Sequence, residues 1–406
     1  MRKGTKAVRD TSSGGANVAQ PPSAVSLGND LGHSHSRGRL CHTALMALLV
    51  SALILPGCAA SSGAEAAPPF ARIAEVVDSG LKSLARSQNP DGSIGAAQPH
   101  LQTGLAILAF LSSGRTEDAD PASPIPAACG WLLQYSGEDG FLGDEEFPME
   151  SHAVCALALS EARGMLRDPK LAARVADRAP RALDYALAAQ DKAIGAEFYG
   201  GWKADPKNKV NDRRVTAWFL LLLKSAELRG AEIPRGALSR ALMFIEGSQK
   251  VPEPGKTYEK TDIGGFSYDA TGLPVVAITG AGLAAMSCYG RDAARRDLAL
   301  QWLQENRPIW YGPNFYYTHF FTSRALVREA RRGPGPRKQL LKYAQALWEM
   351  LRDHQDADGS FQIPPGNAEN TRRMGAAYAT AMAVLILNMQ RQLMPIDSLV
   401  APGAAN

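Results

Sequence analysis

One unit recurs six times along this chain, and that repetition constrains its fold more than anything else in the sequence. A helical segment ends in Gln, and a Gly-containing turn and usually an aromatic residue follow. The copies are Gln88 with Gly92 and Ile94, Gln134 with Gly140 and Phe141, Gln190 with Gly201 and Trp202, Gln249 with Gly265 and Phe266, Gln304 with Trp310 and Gly312, and Gln355 with Gly359 and Phe361. Successive glutamines stand 46 to 59 residues apart, which suits one helix–turn–helix unit and a variable connection.

The two helices of a unit differ. The first carries charge at helical spacing, as in Arg72, Glu75, Lys82 and Arg86, so one face meets water. The second is apolar nearly all round, as in Thr103–Leu108, His152–Leu157, Thr216–Leu221, Thr279–Ala284, Phe320–Leu326 and Tyr378–Leu385. A helix without a polar face must be buried on every side. Six amphipathic helices around six buried ones make an all-α fold, an (α/α)6 toroid of six helical hairpins. The glycines supply turn conformations, and the glutamines and aromatics read as fold residues at the junctions.

These Gln…Gly…Trp/Phe units resemble the repeats of the terpenoid cyclase and protein prenyltransferase toroid superfamily. Phe315–Thr322 and Tyr378–Ala383 are similar to the prenyltransferase and squalene oxidase (squalene-cyclase-like) repeats of bacteria. The resemblance covers about residues 70–392 and implies the fold far more strongly than an activity.

Residues 1–57 read as a leader. Arg37 and Arg39 precede an apolar run from Thr43 to Leu55, too short to span a bilayer. Leu55-Pro56-Gly57-Cys58 resembles a bacterial lipobox, which implies cleavage before Cys58 and a lipid anchor on its thiol. The competing reading is a secretory signal cleaved near Ala60. Either one exports the chain, and Ala59 after the cysteine implies an outer-membrane lipoprotein facing the periplasm. Residues 1–36 lie oddly far upstream, as expected of a start codon assigned too early. Residues 58–69 then form a linker, 70–392 the toroid and 393–406 a flexible tail.

Of the 44 Lys/Arg and 40 Asp/Glu residues, six and two precede Cys58, leaving 38 of each. A neutral mature chain gives no ground for a nucleic-acid partner. Cys129, Cys155 and Cys288 stand singly among apolar residues with no CxxC spacing, so they read as small buried side chains rather than disulfides or metal ligands.

The signatures of the superfamily's chemistry are missing. A cyclase of the squalene type needs an Asp-x-Asp-Asp acid. The nearest substitutes are Asp356-Ala357-Asp358, in a repeat turn, and Asp212, whose neighbours Arg213 and Arg214 oppose the protonation an acid catalyst needs. A prenyltransferase needs zinc on Asp, Cys and His. Here Val275, Val276 and Ala277 follow the fourth repeat, and His319 has no such companions, so neither metal nor cofactor is expected. The Gly-Cys-Gly-Glu-Gln thioester motif, a phosphate loop and a nucleophile elbow are likewise not found.

What remains is the mouth, where six parallel inner helices present their N-termini. Glu150 and Asp212 are the candidate acid/base pair, and His100, His152, Arg213, Tyr317, His319 and Arg373 the candidate binding residues. The same residues also read as caps and packing. The expectation is a binding or scaffolding module, anchored to a membrane at Cys58 and taking a small ligand or peptide at its mouth. The alternatives are a divergent terpenoid cyclase or prenyltransferase-like enzyme, or a polysaccharide-active enzyme with Glu150 and Asp212 facing across a cleft.

Overall fold

The computed structural model describes residues 69–116, 122–192, 199–259, 261–269, 272–306, 308–365 and 373–397, all within one compact unit. They form twelve α-helices: α1 Pro69–Arg86, α2 Pro99–Ser112, α3 Ile125–Gln134, α4 Pro148–Ala162, α5 Pro169–Ala189, α6 Arg213–Leu228, α7 Arg235–Glu246, α8 Val276–Cys288, α9 Ala293–Gln304, α10 Phe315–Glu329, α11 Pro334–Asp353 and α12 Ala376–Asn388. The even-numbered helices form the inner ring. Each packs against the next, and α12 packs against α2, which closes it. Every residue of α4 is buried, as is every residue of α2 from Leu101 onward, whereas α1 buries Val77, Leu81 and Leu84 and leaves Arg72, Lys82 and Arg86 in water.

The repeated residues build one junction. In the fourth repeat Gln249 Nε2 donates to the turn carbonyl of Gly264 at 3.0 Å and to Arg295 O in the next outer helix, α9, at 2.8 Å. Gly264 holds φ at +100°, and a Cβ there would lie 2.3 Å from Leu298 O, so the turn presses backbone to backbone on α9. The aromatic residue then donates from its own backbone, Phe266 N to Thr279 Oγ1 at 2.8 Å, and this fixes the start of α8. The same set recurs as Gln88 with Thr103, Gln190 with Thr216 and Gln355 with Thr380. Gln355 reaches Val76 O in α1, so the last repeat clasps the first.

Two repeats depart from the motif as the sequence presents it. Gln134 and Gln304 are exposed and make no such junction. In the second repeat Ser136 takes the place of the glutamine, and Arg178 reaches in from α5 to Gly137 O at 2.7 Å. In the third, Trp202–Lys203 (β1) pairs antiparallel with Asn211–Asp212 (β2), a short ribbon that periodicity did not announce.

The far end of the ring, where the inner helices finish, is filled by the C-terminal segment. Residues 393–397 are therefore not the flexible tail expected from sequence. Ile396 is fully buried, its N–H bonds Glu161 Oε2 at 3.1 Å, and its carbonyl accepts from Arg328 at 2.8 Å. Asp397 pairs with the buried Arg324 at 2.6 Å. Residues 398–406, like the leader 1–57, lie outside the described residues. Cys129, Cys155 and Cys288 are buried with reduced thiols, and burial pushes the Cys129 thiol up to about 12.

Candidate functional site

The mouth is a layer of polar side chains laid over an aromatic plug. Trp218 of α6 stacks on Phe320 of α10 at 4.9 Å and meets Phe321 edge-on at 5.0 Å. Helices α6 and α10 are separated in the ring by α8, so these rings meet across the lumen. Tyr317 packs on Phe321 at 4.6 Å and donates its hydroxyl to Arg214 O at 3.0 Å.

Above the plug lie the two candidate carboxylates. Glu150, 7% exposed, accepts the Trp218 indole N–H on Oε1 at 3.1 Å. Burial, with the Asp212 charge adding to it, pushes its carboxyl up, while Arg214 and the indole pull the other way. Asp212 is the N-cap of α6. Its Oδ1 accepts the N–H groups of Arg214 at 2.7 Å and Val215 at 3.3 Å, and its Oδ2 pairs with the Arg214 guanidinium at 3.0 Å. Burial opposes the charge on Arg214, but Asp212 and Glu150 outweigh it and hold that side chain cationic.

The histidines have other duties. His152 occupies the place that Thr103, Thr216, Thr279 and Thr380 hold in their repeats. Leu142 N–H donates to its Nδ1 at 3.1 Å, so the ring proton sits on Nε2, facing Ala182 O at 3.1 Å. Burial lowers its pKa to about 4. His319 stands at the same helical position in α10, bonded through Nδ1 to the Tyr343 hydroxyl at 2.6 Å, and burial lowers its pKa to about 3. Both rings are neutral, and His152 alone takes the threonine's part in the repeat junction. His100 at the start of α2 holds Asp144, whose carboxylate also accepts the N–H groups of His100 and Leu101 at 3.0 and 2.9 Å. Burial disfavours the charge on Asp144, yet these bonds prevail and keep its carboxyl below the usual range.

Arg213 is buried, donates to Tyr268 O and lies 4.5 Å over the Phe244 ring, turned from the lumen toward the fourth repeat. Arg373 is exposed and pairs with Glu146 on the rim. The structure thus brings Glu150, Asp212 and Tyr317 together with Arg214 and Trp218, and disperses His100, His152, Arg213, His319 and Arg373. Sequence reasoning paired Arg214 with Asp212 but missed its action on Glu150, and it missed the capping by Asp144 from a neighbouring repeat. Cys58 lies outside the described residues. Among the described residues, no three His, Cys, Asp or Glu side chains gather as a metal site would require.

With this geometry in hand, solved structures supply the comparison. The chain is similar to an inactive variant of the alpha-1,6-mannanase GH76A of Salegentibacter in complex with alpha-1,6-mannotriose, with TM-score 0.55, 11% identity, and 79% of this chain and 99% of that one covered. It is similar to the GH76 alpha-mannanase BT2949 of Bacteroides thetaiotaomicron, with TM-score 0.53, 12% identity, and 80% and 99% covered. A third likeness, to the type II terpene cyclase MstE of Scytonema, has TM-score 0.49, 14% identity, and 79% and 98% covered. The fold is the α/α toroid. At these identities the likeness speaks for fold alone. No protein-family model and no curated protein matches the chain, so the narrower resemblance to squalene-cyclase-like repeats stays a resemblance.

Proposed function

We propose that this toroid is a non-catalytic binding or scaffolding module of the bacterial cell envelope, exported and anchored through a lipid on Cys58. One observation supports the non-catalytic reading most. The side chains suited to acid/base work near the mouth already serve the fold: Asp212 caps α6 and pairs with Arg214, His152 stands in for the junction threonine, and His319 is bonded to the Tyr343 hydroxyl. No helix among the described residues is long and apolar enough to cross a membrane.

Intact mass of the protein extracted from bacterial membranes tests the anchor. The expected species begins at Cys58 and carries acyl chains. An unacylated species beginning near Ala60 would overturn it.

A polysaccharide-active enzyme is the second reading, and Glu150 is what favours it. A buried carboxyl pushed upward is the state a general acid needs, and this toroid is also the fold of alpha-1,6-mannanases. Against it stands Asp212, whose oxygens are taken up by the cap and by Arg214. The readings part over Glu150→Gln, which would cost an enzyme its turnover and leaves a module with none to lose.

A further inference from the structure

We propose that the far end of the toroid, opposite the mouth, docks on an anionic lipid surface through Arg331, Arg337, Lys338 and Arg391. For its place in the cell this rests on the lipid anchor at Cys58. All four side chains are exposed, and none is bonded to a carboxylate among the described residues. Of the nearby carboxylates, Glu329 and Asp397 are held in ion pairs, while the exposed Glu305 shares a cleft with Lys338. Glu329 is paired with Arg296 at 2.6 Å and with Arg332 at 2.5 Å, and Asp397 with Arg324 at 2.6 Å. The cations are also crowded. Partial burial, and after it the neighbouring Arg328 guanidinium, disfavour the charge on Arg331.

Apolar side chains accompany this charge. Leu341 is 54% exposed and stands one turn beyond Arg337 and Lys338, on the same face of α11. Leu393, 45% exposed, lies against Gly114, just past the end of α2. Cations flanking exposed leucines are what an interfacial surface requires, with charge for the phosphates and apolar side chains for the acyl boundary.

The first helix starts near this same end. Ile73 in the first turns of α1 lines a small cleft with Val327, Leu340, Leu387 and Met389, which belong to the far-end halves of α10, α11 and α12 and to the turn after α12. Cys58 is eleven residues before Pro69, a reach of at most about 40 Å.

The test uses the mature chain, residues 58–406, with Cys58→Ser, so that no lipid contributes. It is sedimented with phosphatidylcholine vesicles with or without about one-third phosphatidylglycerol. The expected result is binding only to the phosphatidylglycerol vesicles, reversed by salt. In Arg337→Gln/Lys338→Gln, binding weakens about 25-fold, at about five-fold per cation, with the melting temperature unchanged. Absence of binding by the parent, or equal binding by parent and double variant, would overturn the proposal. Since no lipid is present, either failure leaves the Cys58 reading to its own mass measurement.

Discussion

Gly264→Ala is expected to lower stability by about 3–5 kcal/mol, among the largest losses a single methyl group can cause in this protein. Two costs add. The left-handed conformation penalises any Cβ by about 1–2 kcal/mol. The new methyl would also lie 2.3 Å from Leu298 O, so the turn must lift away from α9 and strain the two Gln249 bonds that hold it there. Gly230→Ala separates these costs, because Gly230 has φ +86° with nothing within 4 Å of a Cβ, and so carries only the conformational penalty of about 1–2 kcal/mol. Urea midpoints of the two variants measure the difference. Equal losses would mean that the turn does not bear on the next outer helix, and the junction described above would be wrong.

His152→Thr is expected to remove much of the protein's acid sensitivity. The folded pKa of about 4 lies below the ordinary 6.5, so the fold binds a proton on His152 less readily than the unfolded chain does. His152 therefore contributes its full stability above about pH 6.5 and loses it as the pH falls toward 4. At about 1.4 kcal/mol per unit the loss is roughly 3 kcal/mol. Threonine, the residue at this position in four other repeats, keeps the acceptor for Leu142 N–H and does not titrate. The buried Glu150 and Glu161 act in the opposite direction, since their raised carboxyls favour the fold as pH falls. Both are present in wild type and variant alike, so they cancel in the difference. The stability of wild type minus that of His152→Thr should fall by about 3 kcal/mol between pH 6.5 and 4. A flat difference would show that His152 titrates normally and faces water.

The toroid was legible because its signals are periodic and local. Gln88, Gln190, Gln249 and Gln355 each meet a turn carbonyl and the next outer helix, and that repetition shows in the letters alone. Gln134 and Gln304 misled because the motif was matched by residue type. The position equivalent to the glutamine in the second repeat is Ser136, and the turn carbonyl beside it, Gly137 O, is met instead by Arg178, 41 residues on, which announces nothing locally.

The same limit applies to the mouth. His152 reads as a ligand group when taken alone, yet setting it beside Thr103, Thr216, Thr279 and Thr380 shows an acceptor wanted at one helical position. Asp212 was legible as a cap, since it precedes an apolar helix. The grip of Trp218 on Glu150 was not, because it spans 68 residues of sequence. Nor was the docking of Ile396 on Glu161, since a short apolar segment after the last repeat looks like a tail until the ring has an open end to fill.

Turnover decides the central claim that the mouth belongs to the fold. Reducing ends released from alpha-1,6-mannan, and from a mixed bacterial polysaccharide extract, should be measured for the wild-type protein and Glu150→Gln. A module releases none above the buffer level in either protein. Release by wild type that Glu150→Gln abolishes, with the fold intact by melting temperature, would contradict the account and make Glu150 a catalytic acid.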